Sequence, residues 1–212
     1  SCDFVILMTT KDVQQFKKWT GKYNVCFIPH GINTEFYSPH NSIKTISEPD
    51  NLLMVGNWQR DFAFARDVFC EIQKLRNRFK FNIVTNASNH FWFNELKNVN
   101  LYKDITDIEL RDLYRKANCV FFPLNFFTAN NAYLEALSTG CKIIIASDYR
   151  DEDSYIKTKN VVLVKKEKKL AVSEIIRAVE SGDCSNKLND IDKITAAYSW
   201  QNIAKITRDK LL

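Results

Sequence analysis

The residue types best suited to chemistry lie in the segment 126–140, which reads FFTANNAYLEALSTG. It stands between two apolar runs, residues 119–124 and 142–146, a pattern that predicts a buried strand, a polar turn, a short helix and a second buried strand. Free backbone N–H groups and the positive end of the helix dipole meet where such a helix begins, which suits a phosphate group. Because a helical side chain leans toward the start of its helix, Glu135 can accept hydrogen bonds from hydroxyl groups beside that phosphate. A diphosphate next to sugar hydroxyls is what a sugar nucleotide presents.

The turn offers further candidates for contact with the diphosphate. Asn130 and Asn131 are also typical helix caps, and the two roles are compatible because a cap at an anion-binding helix also touches the anion. Thr128 can supply a hydroxyl group to the diphosphate. Glu135 has an ordinary alternative as a solvated helix residue.

A second group of candidates lies in the segment GNWQRD at residues 56–61. Gly56 fits either a plain turn or close approach of the backbone to a diphosphate, and Asn57 beside it is a further candidate for the same site. Arg60 can stabilise the charge that builds on a diphosphate leaving group. An arginine near a helix start meets the positive end of the dipole, so we expect it to have an anionic partner, either the ligand or Asp61.

Other conspicuous residues favour structural roles. We expect Phe127 to pack rather than to stack on a ligand, and His30 to be structural because no Cys or His partner is near it in the sequence. The aromatic residues Trp58 and 91–93 are expected in the core, although Trp58 falls in a loop of the predicted crevice. The lysine-rich run 165–169 predicts a solvated helix start, with a membrane-surface patch as the alternative.

Composition limits the classes of protein. The 212 residues are 45% hydrophobic, enough for a globular core. No run approaches the ~18 apolar residues of a membrane-spanning helix. The six cysteines are scattered, which favours a reducing, cytoplasmic setting without structural zinc. A net charge of +5 suits an anionic small molecule or the anionic cytoplasmic face of a membrane, and it does not argue for nucleic acid. We predict no metal and no cofactor.

Short apolar runs alternate with segments of helical spacing. The runs are residues 4–8, 25–28, 52–55, 81–84, 120–124, 143–146 and 161–164. One helical segment begins at Thr10. The others cover residues 61–78, 107–116, 170–179 and 199–212. Continuous apolar runs are typical of strands buried on both faces, so the sequence predicts a doubly wound, Rossmann-like α/β fold around a parallel sheet.

Right-handed crossovers place the loops at the carboxyl ends of the strands along one edge of such a sheet. We therefore expect one crevice to be lined by residues 56–60, 85–89, 104–106, 125–131 and 147–152. The two prolines and the small polar residues at 36–50 indicate a connection between two units. The predicted units are residues 1–36, residues 37–198 and a C-terminal helix at 199–212. The first residues read as a strand rather than as a signal peptide, so we expect the chain to begin inside a longer protein.

Five segments occur in order along nearly the whole chain. They are IPHGINTEFYSP at 28–39, LMVG at 53–56, DIT followed by EL at 104–110, LEALSTGCKII at 134–144 and YSW at 198–200. Each is weak alone, but their order and spacing together resemble the C-terminal, donor-binding half of the retaining glycosyltransferases of family 4, which have the two-domain GT-B fold.

The resemblance implies transfer of a sugar from a nucleoside diphosphate sugar to a glycan, a lipid or another acceptor. The segment 28–39 would be the hinge between the two halves, and Ile105 would lie near the nucleotide base. Glu135 would be the second acid of the family's Glu-x7-Glu pair, which accepts hydrogen bonds from the ribose. Arg60 would take the catalytic role of the cation at the leaving group. The chain would be inactive alone, because the acceptor site belongs to the other half.

The chain departs from the family pattern at two places. The first acid of the pair would stand at position 127, which is Phe127, and the glycines that usually follow are replaced at residues 128–130. Of the Arg and Lys that usually follow the glycine turn, only Arg60 is a clear candidate.

Two other functions fit the sequence. A degenerate, non-catalytic module that binds a sugar nucleotide or a carbohydrate would explain the loss of the acid at Phe127. An α/β interaction domain without a nucleotide site would require the crevice between Asn130 and Glu135 to be filled by side chains.

Overall fold

The computed structural model describes residues 4–21, 23–39, 50–127, 130–149, 157–181 and 190–211. Strands and helices alternate along most of this length. The strands are β1 (Val5–Leu7), β2 (Val25–Phe27), β3 (Asp50–Val55), β4 (Phe79–Val84), β5 (Val99–Tyr102), β6 (Cys119–Pro123), β7 (Lys142–Ala146) and β8 (Val161–Val164). The helices are α1 (Thr10–Thr20), α2 (Phe62–Leu75), α3 (Asp107–Lys116), α4 (Asn131–Ser138), α5 (Lys168–Glu180), α6 (Ile191–Tyr198) and α7 (Trp200–Leu211), with a 3₁₀ helix at Ala87–Phe93.

The six-stranded sheet is parallel throughout and has the order β5-β4-β3-β6-β7-β8. The chain moves outward from β3 to β5, returns to the centre at β6, and then moves outward in the other direction. The carboxyl ends of β3 and β6 therefore flank the point where the strand order reverses, which is where such sheets bind ligands. The predicted doubly wound parallel fold is confirmed.

Both faces of the sheet are covered by helices. Leu52 and Met54 of β3 face a core cluster with α2 and α5, whereas Leu53 and Val55 face a second cluster with α3, α4 and α6. Alternate residues of one strand point to opposite faces, so a continuous apolar run fills both cores.

At the N-terminus, β1 and β2 form a separate two-stranded parallel sheet and are connected by α1. The segment after β2 returns to the C-terminal end of the chain, where Ile32 pairs with Ser199 in an isolated bridge. The ring of Trp200 lies over Gly31, and a Cβ on that glycine would fall 2.5 Å from the Trp200 ring. His30 packs against the same ring at 5.2 Å, in line with the structural role expected for it. The predicted unit boundaries at 36/37 and 198/199 stay predictions.

Several elements differ from the sequence prediction. Strand β5 and helix α6 were not predicted, and α2 ends at Leu75 rather than at residue 78. Helix α3 has the predicted bounds, and Thr106 caps it through a reciprocal pair of bonds with Glu109. The Ser199 hydroxyl accepts a hydrogen bond from the Asn202 N–H and so caps the start of α7.

Within the described ranges, no helix combines the length and the apolar character needed to cross a membrane. The same residues include no cluster of three or more His, Cys, Asp or Glu side chains able to hold a metal ion.

Candidate functional site

The turn after β3 is built tightly around Gly56. Its φ of 112° lies in a region that L side chains rarely adopt, and its N–H donates to the Val84 carbonyl at the end of β4. Gln59, three residues on, also has a positive φ, of 57°. The sequence GNWQRD therefore makes a compact loop at the carboxyl edge of the sheet.

Asn57 fastens this loop to the next one. Its Oδ1 accepts hydrogen bonds from the Thr85 hydroxyl at 2.7 Å and from the Asn86 N–H at 2.6 Å. The side chain predicted to contact a ligand thus has a bridging role between the loops after β3 and β4. Two of the five predicted crevice loops are joined by this one residue.

Arg60 folds back over Gly56, and within the described ranges it pairs with no carboxylate. Its Nε donates to the Val55 carbonyl at 2.8 Å, one Nη donates to the Trp58 carbonyl at 2.9 Å, and the other lies 3.4 Å from Asn130 Oδ1. Burial lowers the pKa of Arg60 to about 10, which leaves it cationic at neutral pH. Three of its five N–H groups are bonded to neutral oxygens, so its positive charge is not neutralised by these contacts.

The alternative that Asp61 pairs with Arg60 is wrong. Asp61 caps α2 by accepting from the Phe64 N–H, and its other oxygen lies 2.5 Å from Lys166 Nζ. Lys166 also donates to Asn125 Oδ1 at 3.0 Å, and its N–H donates to Asp148. Helix α5 starts only at Lys168, so the prediction of a solvated helix start fails for Lys166, which is 20% exposed.

Helix α4 begins at the opposite side of the same edge. Asn130 is its N-cap and accepts from the Tyr133 N–H at 3.2 Å, as the cap prediction required. The same oxygen meets Arg60, so the cap also connects the helix to the loop after β3. Asn131 is the first helical residue and is exposed. Its N–H and that of Ala132 belong to the first helical turn, whose donors point outward from the helix.

These two loops enclose an open cavity of about 440 Å³. It is lined by Asn57, Trp58, Gln59, Arg60, Phe126, Asn130, Asn131 and Ala132. Four of the predicted site residues, Asn57, Arg60, Asn130 and Asn131, therefore share one cavity, and the described hydrogen-bond partners of the Arg60 guanidinium are all neutral. The crevice is open at this point, contrary to what an interaction domain without a nucleotide site requires.

Glu135 lies one turn along α4 and is half-buried. The hydroxyl of the fully buried Tyr114 is 3.1 Å from Glu135 Oε2. Burial raises the pKa of Glu135, the Tyr114 hydrogen bond lowers it, and Asp107 raises it again, so that its pKa ends above the ordinary value. The alternative of a solvated surface residue is wrong, because this carboxylate is held in a partly dehydrated place.

The aromatic residues near the cavity divide into buried and exposed. Phe127 is 2% exposed and packs edge-on against Tyr133, as expected. The expected core position is wrong for Trp58, which is 82% exposed, and for Phe91, which is 60% exposed, whereas Phe93 is buried. Trp58 therefore stands at the cavity rim on a loop whose backbone is fixed by its neighbours.

Three predicted site residues, Gly56, Ile105 and Glu135, are not among the residues that line this cavity. Ile105 is half-buried in the loop before α3 and does not line the cavity. Thr128 lies outside the described residues. Another groove, of about 670 Å³, runs between α2 and α5 and is lined by Glu71, Leu75, Lys169, Val172, Ser173, Ile176, Arg177, Glu180 and Ser181, none of which was predicted as a site residue.

Comparison with solved structures identifies the fold. The chain superposes on sucrose-phosphate synthase from Thermosynechococcus elongatus with a TM-score of 0.79 and 16% identity, over 99% of this chain and 57% of that one. The chain therefore has the fold of one half of the two-domain GT-B glycosyltransferases. A glycosyltransferase from Rickettsia africae ESF-5 matches at 12% identity with a TM-score of 0.77, over 98% of this chain and 63% of that one. The Anabaena protein HepE, solved with UDP and glucose, gives the same identity and TM-score over 99% of this chain and 63% of HepE.

The chain thus spans 57 to 63% of the length of these three glycosyltransferases. No model of a protein family matches the sequence. No curated protein matches it either. The resemblance to family 4 and to its Glu-x7-Glu motif rests on the sequence segments alone.

Proposed function

We propose that this chain binds a nucleoside diphosphate sugar between the loop after β3 and the start of α4, as the donor half of a glycosyltransferase. The observation that carries the proposal is the 440 Å³ cavity, which brings a cationic guanidinium and a helix start together at the strand-order reversal. A diphosphate carries the charge and the oxygen acceptors that these groups favour.

In the proposed complex, Arg60 and the first turn of α4 hold the diphosphate. Arg60 is pre-positioned by its bonds to Val55 and Trp58, so little rearrangement is needed when charge builds on the leaving group. Gly56 allows the backbone to lie beneath that guanidinium without a side chain between them. The donor is a substrate, and no cofactor is needed for this chemistry.

Glu135 is proposed to accept hydrogen bonds from the ribose hydroxyls, and Ile105 to contact the base. A carboxylate has two oxygens and can accept from vicinal hydroxyls at once. Partial burial strengthens this recognition, because water competes less for a half-buried carboxylate. Retention of configuration and a glycan or lipid-linked acceptor are the finer parts of the proposal, and both derive from the family resemblance.

A second candidate is a non-catalytic module that binds a sugar nucleotide. The observation in its favour is Phe127, a buried ring at the position where the family resemblance would place the first acid of the Glu-x7-Glu pair. Such a module would use the same cavity and the same diphosphate contacts. The two candidates therefore differ in turnover and agree in binding.

Calorimetric titration with UDP, GDP, ADP, CDP and dTDP tests the shared claim. We expect one of these to bind saturably, with affinity reduced about tenfold or more in Arg60→Ala, because a hydrogen bond to a charged group contributes roughly 1.5–3 kcal/mol. Arg177→Ala, at the groove between α2 and α5, is the matched control and should bind as the wild type does. If none of the five nucleotides binds, the proposal is contradicted. Sugar transfer or donor hydrolysis by a protein that includes this chain would then favour the enzyme over the binding module.

A further inference from the structure

A buried side chain of α3 contacts the side of α4 that faces the protein interior, and the proposed donor site does not explain this contact. Tyr114, in the last turn of α3, has no exposed surface, and its hydroxyl points at α4. That oxygen is 3.1 Å from Glu135 Oε2 and 3.2 Å from the Ala132 carbonyl. A phenol has one proton, so it can donate to only one of these two acceptors at a time.

The ionised carboxylate is the stronger acceptor of the two, because a hydrogen bond to a charged oxygen is stronger than one to a neutral carbonyl. When Glu135 is ionised, the Tyr114 proton therefore belongs to Oε2, which leaves Oε1 and the remaining lone pairs for a ligand. When Glu135 is protonated, it can donate to the Tyr114 oxygen, while Tyr114 turns its own proton to Ala132. Either arrangement satisfies the buried phenol.

Tyr114 is itself held from the other side by the hinge segment. The Tyr37 ring meets the Tyr114 ring edge-on at 6.1 Å, and Tyr37 is 8% exposed. Arg115, the next residue of α3, donates from Nε to the Ser38 carbonyl at 3.0 Å and from an Nη to the Ser38 hydroxyl at 3.2 Å. The guanidinium of Arg111 lies 4.7 Å from the centre of the Phe36 ring. Helix α3 is therefore fastened to residues 36–38 along the turns that carry Tyr114.

We propose that Tyr114 is the positioning residue of the donor site: its hydroxyl fixes the orientation of the Glu135 carboxylate toward the nucleoside hydroxyls. The inference rests on the proposed function, since it needs a nucleoside at Glu135. Tyr114 is buried and does not touch the ligand, so it acts only through the carboxylate. The ring contact with Tyr37 makes the hinge segment the support on which this orientation depends.

The charges around Glu135 support this role. Among the described residues, Tyr114 and Asp107 of α3 and Tyr37 of the hinge segment are the titratable groups that face it, and Arg111 acts on Tyr37. Burial and Asp107 raise the pKa of Glu135, and the Tyr114 hydrogen bond is the contact that lowers it. Loss of the phenol would therefore both free the carboxylate to rotate and make its protonation easier.

Paired nucleotides separate positioning from general stability. The probes are the ribonucleoside diphosphate that binds tightest in the panel above and its 2′,3′-dideoxy counterpart, which lacks the ribose hydroxyls. In Tyr114→Phe we expect Kd for the ribonucleotide to rise about three- to tenfold, the value of one hydrogen bond, and Kd for the dideoxy form to stay unchanged. The pH at which ribonucleotide binding weakens on acidification should also move upward in the variant.

Tyr37→Phe is the matched control, because it removes a phenol from the same cluster and keeps the ring that supports Tyr114. Within the described residues the Tyr37 hydroxyl makes no hydrogen bond to Glu135, so this variant should bind both nucleotides as the wild type does. If Tyr114→Phe does not fold, 3-fluorotyrosine at position 114 keeps the shape and makes the phenol a stronger donor. It should lower the pH at which ribonucleotide binding weakens.

The outcomes are distinct. If Tyr114→Phe raises Kd equally for both nucleotides, or changes neither Kd, the positioning role is overturned and the proposed function still stands. An unchanged pH profile with 3-fluorotyrosine overturns it as well. Failure of the wild type to bind any nucleoside diphosphate overturns the proposed function and this inference together.

Discussion

The guanidinium of Arg60 lies directly against the α-carbon of Gly56, so closely that a Cβ on that glycine would fall 2.5 Å from one Nη. The two residues are four positions apart, and the Arg60 side chain packs over the Gly56 backbone within a single turn. Arg60, the predicted catalytic cation, can therefore take this position only because Gly56 has no side chain. This relationship explains why glycine and arginine occur together at the end of β3.

Gly56→Ala should disturb both partners. The φ of 112° is strained for alanine, which costs roughly 1–3 kcal/mol of unfolding free energy, and the new methyl group would displace Arg60. We expect a lower midpoint in urea denaturation and weaker nucleoside diphosphate binding. Gly21→Ala is the control, because Gly21 also has a positive φ, of 67°, but no atom lies within 4 Å of its added Cβ. Loss of stability without loss of binding in Gly56→Ala would contradict the role given to Arg60.

The pair of Asp61 and Lys166 should make stability depend on pH. Burial opposes ionisation of Asp61, but the bonds from Lys166 and the Phe64 N–H outweigh it and lower its pKa below the ordinary value. A carboxylate with a lowered folded-state pKa stabilises the fold above its unfolded pKa, and this stabilisation is lost as the pH falls through the folded pKa. We expect the wild type to lose this contribution on acidification, and Asp61→Asn to lack it at every pH.

Two substitutions at Asp61 separate its cap from its ion pair. Asp61→Asn keeps an oxygen for the Phe64 N–H and should cost up to about 1 kcal/mol of unfolding free energy at pH 7. Asp61→Ala also removes the cap, which should cost about 0.5–2 kcal/mol more. Urea denaturation at pH 7 and pH 4 measures both. Equal stability of the two variants would mean that the cap contributes nothing.

Trp58 should affect the sugar more than the nucleotide. Its side chain is 82% exposed at the rim of the cavity, on a loop fixed by Asn57 and Arg60. An exposed aromatic ring on a fixed backbone is suited to stacking on a sugar. We expect Trp58→Ala to weaken binding of the nucleoside diphosphate sugar by about two- to tenfold relative to the bare diphosphate, and Trp58→Phe to restore most of it. Trp19→Ala, on α1 and 81% exposed, is the control for general loss of a surface tryptophan.

The sequence was most informative about the sheet and the cavity. Continuous apolar runs such as 143–146 predict strands buried on both faces, and because the loops at the carboxyl ends of parallel strands share one edge, the sequence also predicts that Arg60 and Asn130 meet there. Strand β5 was missed because it lies at the edge of the sheet and alternates polar and apolar residues over only four positions, Val99–Tyr102. Helix α6 was missed because its eight residues run directly into α7, separated only by Ser199.

The partners of the site residues were less predictable. Lys166 pairs with Asp61, which is about a hundred positions away in the sequence. Because Lys166 lies in a run of lysines, the sequence does not indicate which lysine forms the ion pair. The partner of Tyr114 could not be predicted, because the helical spacing of 107–116 identifies a buried face but not the acceptor of a hydroxyl group on another helix. Trp58 was expected in the core since large aromatics are usually buried, and the fixed loop that holds it outward depends on contacts distant in sequence.

The location of the donor site is the claim on which the others depend, and amide chemical-shift mapping tests it most directly. The tightest-binding nucleoside diphosphate would be titrated into isotope-labelled protein, and the perturbed backbone amides assigned. We expect saturating shifts at residues 56–60 and 130–135 and at Ile105, with little change around Val172 and Ile176 in the groove between α2 and α5. Shifts concentrated in that groove, with the amides of Gly56, Arg60 and Asn131 unmoved, would contradict it.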